Sequence, residues 1–353
     1  MKKLFAGLFG LCLLFAAAGC SGTVATVNIG SRWGYQNISE TSVYRVTAAR
    51  PDESSWTLNY YPTGEGTLTT AIEGMTLAEA SAECPDPSVF EGITADTILK
   101  VTQETDFEGQ FCYTSDNSAL GDPFTYDISV TSYCLTTAKS FQTLHTVREM
   151  HVAYVSNEWE VVPYSFTVST AYKDNRVTCK IEMADEEQAG IFPALEGEAE
   201  VSYDNSFYFD NDSIYYAVRS ISELAESYSL TYQTYDYNSQ SVKSVSLSMA
   251  ATSSESSSSY LHEVNISGMN VNGVTVPENT NARCLEVQLR LSDSNSGSPL
   301  SLFYCVGGED DPYESVHFAG AGSATSYRKL VRMEQSNFTY VMTSFTNNSD
   351  KAD

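Results

Sequence analysis

Basic residues are scarce in this sequence. Its 19 Lys and Arg residues stand against 45 Asp and Glu residues, and the formal net charge is −26. Because phosphate groups are bound by concentrated Lys and Arg side chains, nucleic acids and anionic lipid headgroups are excluded as principal partners. The excess of acidic residues is typical of a solvated surface that keeps molecules apart, and binding of cations or cationic peptides is the alternative.

Motifs of the common enzyme classes are missing too. There is no G-x-S-x-G elbow, phosphate-binding loop or H-E-x-x-H motif, and no cysteine pair has the spacing of a zinc site. We therefore predict a non-enzymatic protein without a metal or cofactor, although a Ser-His-Asp triad assembled by the fold stays open. The four histidines, each interpreted as structural or surface residues, are His145, His151, His262 and His317.

Two acidic clusters carry the oxygen atoms that calcium prefers as ligands. They lie within residues 204–212 and 309–311. Neither cluster follows the ligand order of an EF-hand loop, so solvent-exposed turns are the preferred interpretation.

Long apolar runs are also missing, except at the N-terminus. Residues 4–18 are apolar and follow Lys2 and Lys3. A positive start, an apolar stretch of this length and small residues at its end are typical of a secretory signal, and the run is shorter than the roughly 20 residues of a membrane-spanning helix.

Residues 17–20 resemble the lipobox of bacterial lipoproteins, with Ala17 where Leu is usual. The resemblance implies cleavage before Cys20 and a diacylglycerol on its sulfur, and multiple acyl chains anchor a protein stably. We therefore expect an extracytoplasmic lipoprotein held at a bacterial membrane, on the cell surface or the periplasmic face. Ordinary secretion with an unmodified Cys20 is the alternative.

Six further cysteines fit an exported chain. An even number of cysteines outside the cytoplasm favours up to three disulfides. The sequence leaves the pairing open, but Cys284 with Cys305 is favoured because they lie on strands predicted to be neighbours, and Cys112 with Cys134 follows on the same argument. The candidates are Cys84, Cys112, Cys134, Cys179, Cys284 and Cys305.

Alternating polarity over short segments predicts β-strands. Residues 162–168 and 176–182 each place apolar side chains on one face, and residues 173–175 between them form a predicted hairpin turn. Residues 283–292 alternate in the same way. Their predicted buried row is Leu285, Val287, Leu289 and Leu291, and their predicted exposed row is Cys284, Glu286, Gln288 and Arg290.

Similar strand patterns recur along the chain, while residues 61–66, rich in Pro and Gly, predict a turn. A short helix is predicted over residues 75–82 and another over residues 214–221, with Asp212 or Ser213 as its cap. The other predicted strands span residues 43–49, 56–61, 67–72, 98–105, 124–132, 140–146, 151–155, 230–236, 242–249, 264–266, 301–305, 316–318, 327–334 and 339–344.

This pattern predicts a mainly β protein built on a large curved antiparallel sheet, a half-barrel with one or two helices on its concave face. A β-sandwich is the alternative. Residues 20–40 are interpreted as a flexible tether, residues 41–345 as a single β-rich domain with a possible division into two lobes near 185–210, and residues 346–353 as a polar tail.

Residues 210–334 resemble an uncharacterised family of exported bacterial domains related to the lipoprotein-carrier (LolA/LolB-like) half-barrels. The resemblance implies a curved sheet around helical elements with a concave apolar surface, which holds acyl chains in the carriers. Glu278 stands where the family has a glycine after its proline. The matching segments are residues 214–221, 228–232, 242–249, 274–277, 284–287, 302–304 and 327–331, and upstream residues 40–46 and 164–181.

The leading functional hypothesis is a non-enzymatic, membrane-anchored lipoprotein that binds an apolar ligand or an envelope partner in the curved sheet. The alternative is a surface adhesin or carbohydrate-binding β-sandwich module, in which Trp33, Trp56 and Trp159 stack on sugars. A hydrolase comes third, and convergent carboxylates or a Ser-His pair in a pocket would favour it.

Overall fold

The computed structural model describes residues 38–51, 59–94, 97–137, 140–184, 195–200, 207–208, 210, 212–219, 229–237, 239–249, 261–291, 299–305 and 329–347. The predicted signal peptide, Cys20, most of the predicted tether and polar tail, the acidic cluster 309–311 and the predicted strand 316–318 lie outside these residues. Trp33, Trp56 and His317 also lie outside them.

Eighteen strands among the described residues form one sheet. The first nine are β1 (Ser39–Ala48), β2 (Tyr60–Met75), β3 (Ile98–Tyr113), β4 (Ala119–Thr137), β5 (Ser140–Val155), β6 (Val161–Lys173), β7 (Arg176–Met183), β8 (Leu195–Glu200) and β9 (Phe207–Tyr208). The others are β10 (Ser229–Asp236), β11 (Ser241–Met249), β12 (Leu261–Asn265), β13 (Asn270–Val271), β14 (Val274–Thr275), β15 (Asn281–Leu291), β16 (Leu300–Cys305), β17 (Leu330–Gln335) and β18 (Phe338–Asn347). Two helices, α1 (Leu77–Glu83) and α2 (Ile214–Arg219), and a 3-10 turn, Pro87–Phe90, accompany them.

Strand β1 lies between β2 and β18. From β2 onward, β3 to β8 follow one another as antiparallel neighbours. On the other side, β18 pairs with β17, β17 with β16 and β16 with β15. Strand β15 then pairs with both β11 and β12, and β11 continues to β10. The pairs β9–β10 and β13–β18 are parallel.

The sheet is strongly curved, because a single core contacts strands from all parts of it. Val46 of β1, Phe166 of β6 and Leu289 of β15 belong to one cluster of buried side chains, whereas a flat sheet would hold β6 and β15 on the order of 40 Å apart. The predicted mainly β fold with a large curved antiparallel sheet is therefore confirmed. A sandwich of two separate sheets is wrong, because all the described strands belong to one sheet.

Alternation along the strands confirms the predicted faces in β6 and β7. The inward side chains of β7 are Val177, Cys179 and Ile181, all buried. The turn between the two strands has Asp174 at φ 51° and Asn175 at φ 62°, the left-handed pair that a two-residue hairpin turn requires.

In β15 the prediction is right for most described positions and wrong for Cys284. Leu285, Val287 and Leu289 are buried as expected, but Cys284, predicted to be exposed, is fully buried. Neighbouring strands cover it on both sides, with His262 of β12 and Cys305 of β16 directly opposite in register.

Strand β2 runs straight through the turn predicted at residues 61–66, and that prediction is wrong. The glycines there give room to β3: a Cβ on Gly66 would lie 2.2 Å from a backbone oxygen of β3, and one on Gly64 2.8 Å from the Phe107 ring. Pro62 lies beyond the last pair of β1 with β2, so its missing N–H leaves no hydrogen bond unmade in that ladder.

Strand β5 joins two segments that the sequence predicts as separate strands, residues 140–146 and 151–155. The interruption in the apolar pattern between them contains Arg148, which is nevertheless buried. Its carboxylate partners, described below, explain how a charged side chain occupies the inner face.

The two helices lie on opposite faces of the sheet. Helix α1, close to its predicted bounds, begins with a capping box between Thr76 and Glu79, which satisfies free N–H groups of the first turn. It packs through Ala80 on Ile98 and Tyr133 in a small outer cluster separate from the main core. Helix α2 instead lies in the main core.

Helix α2 begins at Ile214, directly after Ser213, as predicted. Ile214, Ala217 and Val218 are buried in the main core, which confirms a helix on the inner face. Residue 221, the last of the predicted helix, lies outside the described residues.

Candidate functional site

A buried guanidinium holds the segment that precedes α2. Arg148 of β5 projects inward, and its Nε donates to Asp212 Oδ2 at 2.6 Å while Nη2 donates to Asp210 Oδ1. Tyr172 of β6 donates its hydroxyl to Asp210 Oδ2 at 2.7 Å, and Gln103 of β3 donates to the backbone oxygen of Asp212. We name Arg148, Asp210, Asp212, Tyr172 and Gln103 the Arg148 network.

Two hydroxyl groups complete the attachment. Thr143 Oγ1 accepts from the backbone N–H of Asp210 at 3.0 Å and lies 2.7 Å from Ser213 Oγ. Ser213 Oγ also contacts the backbone oxygen of Asp210 at 3.0 Å. Because these bonds join Asp210 and Ser213 to β5, the position of α2 on the sheet is set by polar contacts at its N-terminal end.

The network holds two carboxylates around one cation. Burial opposes ionisation of Asp210, but Arg148 and the Tyr172 hydroxyl hold the pKa of Asp210 below its ordinary value. Burial raises the pKa of Asp212 to about 6, with Arg148 opposing the rise and the charge of Asp210 adding to it. Arg148 Nη1 has no hydrogen-bond partner within the described residues, and the guanidinium carbon lies 5.6 Å from the centre of the Tyr237 ring.

A cavity of about 50 Å³ lies beside the network on the inner face, and we name it the inner cavity. Its apolar wall comes from Leu68, Leu300, Leu330 and Met333, with Tyr44, Tyr215, Tyr216 and Tyr340. Its polar groups are Ser42, Thr70, Gln103, Thr105, Lys329 and Gln335. Since α2 supplies two tyrosines and Gln103 belongs to both sites, the Arg148 network positions part of the cavity wall.

A second buried ion pair lies at the inner cavity. Lys329 Nζ is 2.6 Å from Glu40 Oε1, and both side chains are buried. The ammonium also lies 4.3 Å from the centre of the Phe345 ring. The cavity thus combines an apolar wall with one neutralised charge, which is the usual composition of a small-molecule site.

A Ser-His pair, which would favour a hydrolase, occurs on the outer face. His151 of β5 lies opposite Asp127 of β4 and Ser165 of β6 in register, and His151 Nδ1 is 2.6 Å from Ser165 Oγ. These residues border a surface depression of about 290 Å³. The three strands are paired on both sides, so their N–H groups bond to neighbouring strands rather than converge on a developing oxyanion. We do not assign catalysis to this pair.

The other described histidines are held by neighbours. His145 Nε2 lies 3.1 Å from Ser169 Oγ, and burial lowers the pKa of His145. His262 Nε2 lies 3.4 Å from Glu286. The same carboxylate accepts from Ser301 Oγ at 2.7 Å.

The structure shows no disulfide among the six candidate cysteines, all of which lie within the described residues. Cys284 and Cys305 lie directly opposite each other, so the favoured pairing stays a prediction that the fold permits. The pairing of Cys112 with Cys134 is wrong for this fold, because Cys134 lies opposite Leu99, roughly 40 Å along β3 from Cys112. Burial raises the pKa of the Cys84 and Cys179 thiols to about 11 and that of Cys134 to about 12.

Neither a metal cluster nor a membrane-spanning helix is found in the described part of the chain. No group of three His, Cys, Asp or Glu side chains there is arranged to hold a metal ion. No helix in that part has the length and apolar character needed to cross a bilayer. Cys20, the predicted lipidation site, lies outside it.

Comparison with known proteins identifies no family for this chain. No family model matches the chain and no curated protein matches it. One similar solved structure is the crystal structure of a beta-barrel-like protein of the domain of unknown function DUF1849 from Brucella abortus. It has 9% sequence identity and a TM-score of 0.46, and the match covers 89% of this chain and 99% of that one.

Sequence reasoning missed Arg148, Gln103 and Lys329. One feature of the sequence could have indicated Arg148. It is a basic residue on the inner face of β5, and the residue opposite it on β6, Val168, is apolar. The sequence predicts a solvent-exposed turn at Asp210 and Asp212, and that prediction is wrong. Both side chains are buried and bind the Arg148 guanidinium. Lys329 and Gln103 carry no such signal, because their partners are remote in sequence.

Proposed function

We propose that the protein is a non-enzymatic, membrane-anchored extracytoplasmic binding protein that takes the apolar end of a small amphipathic ligand, or of an envelope partner, into the inner cavity. The observation that carries the proposal is the inner cavity itself. It combines apolar walls from β2, β16 and β17 with the tyrosines of α2 and a few polar groups.

The cavity size limits the ligand. A water molecule needs at least about 10–15 Å³ of such space, so about 50 Å³ corresponds to a few waters or a short alkyl group. A whole acyl chain requires α2 to move, and α2 is held by the bonds of residues 210–213 to the sheet. The bound group is therefore a chain end or a single side chain.

The polar groups suggest how the ligand is oriented. Leu68, Leu300 and Met333 form the apolar side, whereas Gln103 and Lys329 lie on the same cavity. Burial of a few methylene groups contributes about 0.8 kcal/mol each, and a carbonyl or hydroxyl at the other end gains a hydrogen bond. We include in the proposal a relation to the lipoprotein-carrier half-barrels, supported by the helix on the inner face of a curved sheet.

The membrane anchor is supported by the sequence of the N-terminus. Residues 4–18 followed by Gly19 and Cys20 have the order of a lipoprotein signal. A lipid on Cys20 would place the β-rich domain next to a bilayer, where amphipathic ligands are concentrated.

Filling the cavity tests the proposal. Thr70 lines the inner cavity, and Thr69, the preceding residue of β2, points to the other face. The mature chain carrying Cys20→Ser is titrated calorimetrically with fatty acids of six to twelve carbons. We expect Thr70→Phe to weaken binding at least tenfold and the matched control Thr69→Phe to leave it unchanged. Equal binding by both variants, or none by the parent chain, would contradict the proposal.

A further inference from the structure

The turn between β5 and β6 holds a tryptophan in a strained conformation. Trp159 has φ 64°, a region that bulky residues rarely adopt and that clusters at functional positions. The turn is tightly bonded: Ser156 Oγ accepts from the N–H groups of Glu158 at 3.2 Å and Glu160 at 3.1 Å. Ser156 N–H donates to the Glu160 oxygen at 2.8 Å. A rigid turn therefore fixes the place of the indole.

The indole ring of Trp159 packs against two tyrosine rings, and part of its surface is exposed to solvent. Its ring centre lies 5.6 Å from that of Tyr113 and 6.2 Å from that of Tyr60. Tyr60 in turn packs edge-on against Phe111 at 5.7 Å, and Phe111 is fully buried. Trp159 nevertheless stays 44% exposed. We name Trp159, Tyr60 and Tyr113 the aromatic surface cluster.

Polar groups surround the aromatic surface cluster at the same end of the sheet. Glu158 and Glu160 flank the tryptophan in the turn, and both are exposed. The β3–β4 turn adds Asp116 and Asn117, three and four residues after Tyr113 in the chain. Its backbone is joined to the start of β2, since Thr114 N–H donates to the Asn59 oxygen at 3.0 Å.

We propose that the aromatic surface cluster is a binding site for a neutral glycan, whose pyranose ring stacks on the exposed face of Trp159. The C–H groups of a sugar ring form an apolar face that packs on an aromatic ring, and its hydroxyls donate to the surrounding carboxylates and amide. This site is separate from the inner cavity and does not depend on the function proposed for it.

The surroundings favour a neutral sugar over other ligands. Glu158, Glu160 and Asp116 repel anionic glycans and anionic membranes, as does the net charge of −26. A cage for a quaternary ammonium group encloses the cation between rings. Here the rings touch one another, which leaves no space between them, so only the outer face of the indole is available.

The test uses the full acylated chain solubilised in detergent. Native gels containing laminarin, mannan, dextran or hydroxyethyl cellulose measure retardation, and tryptophan fluorescence follows binding in solution. We expect at least one polysaccharide to bind and Trp159→Ala to weaken its binding at least tenfold. The matched control is Val274→Ala, because Val274 is also 44% exposed and lies next to the β13–β14 turn; its binding should equal that of the parent.

Two further measurements keep the outcome decisive. Trp159→Phe should retain part of the affinity, which separates stacking from a loss of folding, and Thr70→Phe, which fills the inner cavity, should retain all of it. No binding to any of the four polysaccharides, equal binding by Trp159→Ala, or binding of tetramethylammonium or of anionic vesicles in place of glycan would overturn the proposal.

Discussion

Arg148 is the residue around which the inner face is organised. An unpaired buried charge is very unfavourable, and removing one partner of a buried pair costs about 3–5 kcal/mol. Asp210 is the better placed of its two partners, since it also accepts from the Tyr172 hydroxyl. Burial opposes its ionisation, but Arg148 and Tyr172 hold the pKa of Asp210 below its ordinary value. Asp212 is the second carboxylate on the same cation.

The first prediction separates the two aspartates. Asp210→Asn should lower the free energy of unfolding by about 3–5 kcal/mol, because Arg148 loses its principal counter-charge. Asp212→Asn, the matched control, should cost less than about 2 kcal/mol at pH 7.5, since the pair of Arg148 with Asp210 remains. Urea unfolding followed by fluorescence measures both; an equal loss in the two variants would contradict this assignment.

The second prediction concerns pH. The pKa of Asp212 is about 6 in the folded protein and about 3.9 in an unfolded chain, so the folded state binds more protons between pH 4 and 6. Stability therefore falls as pH rises through this window. Asp212→Asn removes the effect.

The difference in unfolding free energy between the parent and Asp212→Asn gives the measurement. From pH 4 to pH 7 it should change by about 2–3 kcal/mol, at 1.36 kcal/mol for each unit of pKa. The parent should lose stability relative to the variant as pH rises. A constant difference across this range would show that Asp212 titrates normally.

At the scale of single elements, β2 has glycines where its backbone lies very close to β3. Gly66 allows β3 to approach and the Phe107 side chain to pack on it, with 2.9 Å between the Phe107 Cβ and an added Cβ. Glycine in a strand often marks such a close approach, and here it takes the place of the turn that the composition suggests.

The third prediction tests this approach. Gly66→Ala should lower the free energy of unfolding by more than about 2 kcal/mol, because the backbone of β3 has to shift. Gly197→Ala in β8 is the matched control, since an added Cβ there meets nothing within 4 Å; it should be neutral or stabilise by a few tenths of a kcal/mol. Similar losses in both variants would rule out close packing as the reason.

The fourth prediction concerns β15 and β16. Directly opposite residues of antiparallel strands have Cα atoms about 4.5–5.5 Å apart, within the range that a disulfide spans. In protein isolated from an oxidising compartment, peptide mapping should find Cys284 joined to Cys305. The bond should raise the free energy of unfolding by about 3 kcal/mol relative to the reduced form. Cys112→Ser leaves this bond intact and serves as the control, while recovery of both peptides as free thiols would contradict the pairing.

At the scale of the whole molecule, the curved sheet brings β1 between β2 and β18 and thereby joins the two ends of the described chain. The first and last described strands are thus neighbours in the sheet, and the N-terminal one is β1. A lipid on Cys20 would leave about twenty residues between the membrane and this strand.

The fifth prediction tests the anchor. In the host, Cys20→Ala should move the protein from the membrane fraction to the soluble fraction, because under the proposed anchoring acyl chains rather than protein surface hold it there. Cys112→Ala, which leaves the N-terminus intact, should stay with the membrane. Fractionation followed by immunoblotting distinguishes the two, and a membrane-bound Cys20→Ala protein would contradict lipid anchoring.

Alternating polarity determined the strands and their buried faces, as in β6, β7 and most of β15, because side chains of successive strand residues point to opposite faces. The hairpin turn at Asp174 and Asn175 and the helix beginning at Ile214 were likewise determined by residues close together in the sequence. Only the tertiary structure decided that residues 61–66 extend a strand, that Arg148 and Cys284 are buried, and that Tyr215 and Lys329 meet at one cavity. These depend on neighbours distant in sequence, whose contacts no local pattern records.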